Sequence, residues 1–131
     1  MLRAFLLILL ATPALAEDPG FVTLPDDATI ARAATPELLT ELVVANVVGM
    51  NCAAYRIDDG QWALLTGTAD KVAAAIGVME SSDYDAKFYG PAFDLLNDPA
   101  TCDTEGPKIA LLVDRLREMG GDTTLLRPLG E

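Results

Sequence analysis

Cys52 and Cys102 are the only cysteines in this 131-residue chain, and they follow a stretch that reads as a cleavable export signal. That order constrains the fold more than any other feature. In an oxidising compartment two lone cysteines in a small domain pair, and here the bridge encloses 49 residues. The chain-entropy picture gives a loop of that length a stabilisation of about 4 kcal/mol, a large share of what a small domain has in total. A catalytic redox pair is the alternative, but such pairs stand close together as Cys-x-x-Cys, where one thiolate attacks and its neighbour resolves. Two thiolates in a chain without histidine also fall short of a four-ligand zinc site.

The export signal is read residue by residue. Arg3 supplies a positive charge, Ala4 to Ala11 an apolar run, and Pro13 precedes the small-x-small triplet Ala14-Leu15-Ala16 before Glu17. The apolar run is too short to cross a bilayer, which takes about 20 residues. No cysteine sits at the expected cut to accept a lipid, and no Arg pair precedes the apolar core to direct folded-state export. The expectation is therefore cleavage near Ala16 and a periplasmic or secreted mature chain without stable membrane insertion. The remainder has the length of one domain. It divides into a flexible N-terminal segment at 17–34, a helical domain at 35–121 and a C-terminal tail at 122–131.

Charge narrows the partners. The full chain carries a net charge of −11, and loss of Arg3 leaves eight basic residues against twenty acidic ones, a net −12. Nucleic acid and anionic lipid are excluded as partners, because binding them needs Lys and Arg to neutralise phosphate. A basic envelope protein, or simple solubility, accounts for the acidity. Absence of His removes the usual imidazole base, imidazole metal ligand and near-neutral pH switch.

The spacing of apolar residues predicts an all-α fold, a small four- to five-helix bundle. One disulfide would link the first long helix to the connection before the last helix. A short helix at Asp27 to Ala33 has Asp26 as its cap. The first long helix starts at Thr35-Pro36-Glu37, where Thr caps, Pro fits the first turn and Glu complements the helix dipole. Its body runs to about Ile57 and is apolar on nearly every side, which places it at the centre of the bundle. The β-branched run Val43 to Val48 also fits a strand. Asp58-Asp59-Gly60 breaks the chain and offers an N-cap for a helix from Gln61 to Val78, with Trp62, Leu65, Ala69, Val72, Ala73 and Ile76 on one face and Thr66, Asp70 and Lys71 opposite. Gly67 and the alanines at 73–75 would let another helix approach closely, with Gly49 and Ala53 of the central helix as counterparts.

Ser82 and Asp85 resemble a capping box for a third helix striped by Tyr84, Phe88, Ala92, Leu95 and Leu96. Gly90-Pro91 should kink or split it. Cys102 is placed in the connection that follows Asn97-Asp98-Pro99. The last helix begins near Thr104 or Gly106, with Glu105 and Pro107 in its first turn, carries Ile109, Leu112, Val113, Leu116 and Met119 at helical spacing, and stops at Gly120-Gly121. Leu125, Leu126 and Leu129 of the tail are candidates to lie in a groove of the bundle.

The one constellation that suggests a ligand or partner surface is Asp83, Tyr84, Asp85, Lys87, Tyr89 and Pro91. It joins two carboxylates, two phenols and a lysine beside an expected kink, which opens backbone groups and can line a pocket. The structural alternative reads Asp83 and Asp85 as helix-start residues, Lys87 as solvated, and Tyr84 with Phe88 as a core pair. Calcium loops fail at both acidic clusters, since Lys87 stands where the first needs an oxygen ligand and Ala100 where the second does. Nucleophile motifs, phosphate-cradling glycine loops and the haem-attachment pattern are absent. Catalytic residues, metal and cofactor are accordingly assigned as none, and a non-enzymatic role is expected.

The outline is similar to that of the HdeA-type periplasmic acid-stress chaperones. These too have a signal peptide, a mostly helical mature domain near 100 residues, and two cysteines about 50 apart that close one bridge. The likeness covers the helical spacing and the positions of Cys52 and Cys102 and includes no motif. Gly49-Met50-Asn51 precede Cys52 where that family tends to place an aromatic residue, and its chains are richer in Lys. Gly49-Met50-Asn51-Cys52, Tyr89-Gly90-Pro91 and Gly120-Gly121-Asp122 together resemble small exported alphaproteobacterial proteins of unknown function.

Three roles stand at this point. The first is an exported interaction or accessory module that binds a basic protein. The second, implied by the HdeA resemblance, is a chaperone whose charge swings toward about +8 as acid protonates its carboxylates and exposes apolar helices. A small-ligand carrier is the third.

Overall fold

The computed structural model describes residues 20–130. The export signal read at residues 1–16 lies outside them. Every regular element among the described residues is helical: α1 Asp27–Ala33, α2 Pro36–Asn51, α3 Asp59–Ala75, α4 Gly90–Leu95 and α5 Thr101–Glu118, with a 3₁₀ turn at Ala53–Tyr55 and a π turn at Asp85–Tyr89. The all-helical bundle read from the sequence is the observed fold.

Local chemistry sets the helix starts. Asp26 accepts a hydrogen bond from the Thr29 amide at 2.7 Å, which opens α1 and holds the Asp26 carboxyl below its ordinary value. Thr35 does the same for the Leu38 amide at 3.0 Å, with Pro36 in the first turn of α2. Asp58 and Gln61 form a reciprocal capping box at α3, with bonds of 2.8 and 3.0 Å. Left-handed glycines end two helices: Gly77 (φ 81°) after α3 and Gly120 (φ 101°) after α5. In each case the amide two residues past the last helical turn reaches back, Val78 to Ala73 and Gly121 to Leu116, both at 2.9 Å. The predicted helix end at Val78 thus moves back to Ala75, because Gly77 adopts the stop.

α2 is the axis of the molecule. Leu39, Leu42, Val43 and Val48 are fully buried, and α3, α4 and α5 pack around it. Burial on all sides favours a helix for the run Val43 to Val48 over its β-branched preference for a strand. The helix stops at Asn51 rather than near Ile57, and the reason lies in Gly49. Ile57 folds back so that its amide donates to the Gly49 carbonyl at 3.0 Å, and its side chain fills the space a Cβ on Gly49 would need. Gly49, Ala53 and Gly67 take no part in the close helix approach expected of them: Ala53 is exposed, and the space beside Gly67 is taken by the Leu24 side chain, while Ala73 is fully buried in α3, which packs on α2.

The segment read as a flexible N-terminal stretch is packed from Gly20 onward. Val22, Pro25 and Ile30 are buried, and Lys71 of α3 pins the segment by pairing with Asp27 at 2.8 Å and donating to the Pro25 carbonyl at 3.0 Å. The C-terminal tail lies beside it, its Asp122 and Leu126 amides donating to the Thr23 and Phe21 carbonyls at 2.9 and 2.7 Å. Arg127 stands over the Phe21 ring at 4.7 Å. Leu125 and Leu126 nevertheless face solvent, and Leu129 alone of the three tail leucines is partly covered.

This tail crosses the start of α3 at Gly60, where a Cβ would overlap the Thr123 backbone carbonyl. A backbone atom cannot rotate aside as a side chain can. Gly60→Ala is therefore expected to lower the unfolding free energy by about 1–3 kcal/mol, with loss of amide-exchange protection at Asp122 and Leu126. Wild-type stability in this variant would count against the crossing.

Cys52 caps the end of α2 and Cys102 lies in the first turn of α5, their Cα atoms 5.6 Å apart across the disulfide. The sequence reading put Cys102 in the preceding connection. The helix instead begins at Thr101, whose hydroxyl donates to the Leu95 carbonyl and ties the start of α5 to the end of α4. Pro107 consequently falls inside α5, not in its first turn. At the other end of the antiparallel α2–α5 pair, Arg115 reaches Glu41 at 2.9 Å. No helix among the described residues is by itself long and apolar enough to cross a membrane.

Candidate functional site

Pro91 governs the local structure of the segment singled out in the sequence. It has no amide hydrogen, and in a regular helix its ring would press on the carbonyl four residues back. The chain answers by widening the turn before it, so that the Gly90 amide donates to the Asp85 carbonyl five residues away. The expected kink takes this form, and α4 follows the π turn directly. The expected Ser82–Asp85 capping box is absent; the Ser81 hydroxyl accepts the Asp83 amide instead, at 3.2 Å.

The widened turn re-pairs the aromatics. Tyr84 meets Tyr89, five residues on, edge to face at 5.3 Å, rather than Phe88 four residues on. Its hydroxyl donates to Asp70 of α3 at 3.0 Å. Asp83 pairs with Lys87 at 3.1 Å on the surface, and Asp85 and Pro91 are exposed. The structure thus brings Tyr84 and Tyr89 together and joins Tyr84 to Asp70, while Asp83, Asp85, Lys87 and Pro91 stay outside that cluster.

Burial, reinforced by Tyr89 and the Asp70 carboxylate, pushes the Tyr84 phenol well above its ordinary value of 10.0. A folded-state value above the unfolded one contributes stability that is complete below pH 10 and drains away as the pH climbs toward the raised value. Tyr84→Phe should therefore cost about 1 kcal/mol near neutrality, and the gap between variant and wild type should narrow progressively above pH 10. Thermal melts at rising pH test this; a gap independent of pH would contradict it.

The clefts lie elsewhere. A groove of about 460 Å³ opens between α2, α4 and α5. Its apolar lining is Val44, Ala45, Leu95, Ile109 and Leu112, and its polar lining is Thr40, Glu41, Glu105 and Lys108. Helical spacing makes this wall: Glu41 and Ala45 are one turn apart on α2, as are Lys108 and Leu112 on α5. The charged residues are held only by exposed or half-exposed ion pairs, Glu41 to Arg115 at 2.9 Å and Glu105 to Lys108 at 3.1 Å. Such pairs are worth about 0–1 kcal/mol, so an incoming charge exchanges with them readily.

A second cleft of about 260 Å³ lies between the Gly20 to Leu24 strap and α3, lined by Phe21, Trp62, Thr66 and Asp70 among others. Two others, of about 330 and 410 Å³, flank Lys71 and Leu129. None of these four clefts is lined by a residue between Asp83 and Pro91. Nor do three Cys, Asp or Glu side chains gather within metal-binding reach among the described residues.

Sequence reasoning placed Val44, Ile109 and Leu112 in the core and missed the groove they line. Both clefts are gaps between elements distant in the chain, and no local pattern marks such a gap. Asp70 and Tyr84 carried a weak signal at most, being 14 residues apart on separate helices.

Fold and clefts together define a small, disulfide-closed, acidic helical bundle with an apolar groove on one side. No known protein family, characterised protein or solved structure matches the chain.

Proposed function

We propose that this protein is an exported accessory module, non-enzymatic, which binds a basic protein of the cell envelope through the α2–α4–α5 groove. The groove itself carries the reading: an apolar trough about 460 Å³ in volume whose carboxylates, Glu41 and Glu105, are held by exchangeable surface pairs. A partner segment with apolar residues for the trough and Lys or Arg for its margin fits that chemistry. The chain's net charge of −11 supplies long-range attraction for such a partner. Export with cleavage near Ala16 places the module where the Cys52–Cys102 bridge is stable, and the bridge is consistent with an oxidising location.

The experiment is recovery of the tagged mature protein from its native envelope, beside a variant carrying Glu41→Lys, Glu105→Lys and Leu95→Arg. Wild type should bring down one basic partner at equal stoichiometry, and the variant, still helical and oxidised, should lose it. Recovery without a stoichiometric partner, or a partner indifferent to the three changes, ends the proposal. Intact mass of the recovered chain, reduced by the leader and by two hydrogens, tests the export reading separately.

A further inference from the structure

The smaller cleft differs from the groove in its chemistry. Phe21 and Trp62 present aromatic rings, Asp70 a carboxylate, and no Lys or Arg lines it. One Asp70 oxygen accepts the Tyr84 hydroxyl, which fixes the carboxylate without neutralising it. Among the described residues the other oxygen accepts no hydrogen bond. The nearest bases are committed elsewhere: Lys71 to Asp27 and the Pro25 carbonyl, and Arg127 to the Phe21 ring from a position that does not line the cleft.

We infer that this cleft binds one organic cation, an ammonium or guanidinium on a short apolar stem, with the charge at Asp70 and the stem between Trp62 and Phe21. Two independent preferences coincide there. A fixed carboxylate selects positive charge, and aromatic and apolar walls bury the stem. The volume of about 260 Å³ suits a compact ligand rather than a large cofactor. Arg127 over Phe21 shows the same ring already accepting a guanidinium within the fold. The cleft lies apart from the α2–α4–α5 groove, so this inference stands or falls independently of the proposed partner.

Trp62 is the sole tryptophan of the chain and lines this cleft as well as the one beside Leu129, so its fluorescence reports binding and the dependence on Asp70 assigns that binding to this cleft. The oxidised mature protein would be titrated with n-butylguanidinium and n-butylammonium, with n-butylurea as the neutral isostere of the first. The expected result is a saturable change in Trp62 emission with at least one cation and none with butylurea. Asp70→Asn should weaken binding by about tenfold or more while the far-UV circular dichroism is unchanged, since the amide oxygen can still accept from Tyr84. Tyr84→Phe keeps the charge but removes the hydroxyl that fixes the carboxylate, and should weaken binding less than Asp70→Asn does, which separates loss of charge from loss of its anchor. A capped arginine tripeptide distinguishes the source of the cation. Binding no tighter than butylguanidinium assigns the cleft to free amines or guanidines, and clearly tighter binding assigns it to a basic chain. Unchanged emission with both cations, equal response to butylurea, or undiminished binding in Asp70→Asn would overturn the inference.

Discussion

Replacing Cys52 and Cys102 together by serine is expected to remove about 4 kcal/mol of unfolding free energy. The bridge closes a loop that holds two of the five helices, α3 and α4, from the end of α2 to the first turn of α5, with a sequence separation of 50. Its effect falls mainly on the unfolded chain, which gains freedom when the link is cut. The opposite end of the α2–α5 pair is held by the exposed Arg115–Glu41 pair, worth about 0–1 kcal/mol, so little there replaces the lost constraint. A total of about 5–15 kcal/mol for a domain of this kind would fall to about 1–11 kcal/mol. Denaturant melts of oxidised wild type and of the double variant measure the difference; a loss below about 1 kcal/mol would show that the bridge only decorates a bundle already complete.

Leu39→Ala should cost about 2–5 kcal/mol. Leu39 is 0% exposed near the start of α2, the helix around which α3, α4 and α5 pack, and truncation leaves a cavity that packed helices refill only in part. Leu111→Ala on α5 is the matched control. That side chain is 70% exposed, and its loss should change stability by no more than about 0.5 kcal/mol. The two midpoints of unfolding, compared at an unchanged denaturant slope, decide the matter. Similar losses for both would mean that α5 is covered on the face shown here as open.

The contrast between Leu39 and Leu111 also marks how far the sequence could be read. Helix positions followed from signals within a few residues: Asp26, Thr35 and Asp58 as caps, Gly120 as a stop, and apolar spacing along α2, α3 and α5. The pairing of Cys52 with Cys102 was legible because no other cysteine competes. Among candidate ligand residues, Tyr84 and Tyr89 were read in one stretch beside an expected kink, with Phe88 as the core partner of Tyr84. The π turn before Pro91 changed which ring meets which.

What the sequence determined by itself, then, was the helical class, most helix starts and the single crosslink, because each depends on a short-range preference or on a choice with one solution. Tertiary structure alone decided where α2 stops, which glycines are crowded and by what, and where a ligand can enter. Ile57 against Gly49, Thr123 against Gly60 and Leu24 against Gly67 are meetings of residues brought together by packing, and a glycine looks the same in the sequence whatever later fills its space. The groove and the Trp62 cleft belong to the same order of fact. Their walls come from three helices in one case and from a strap laid on α3 in the other, so their existence depends on distances between elements that no local energy term specifies.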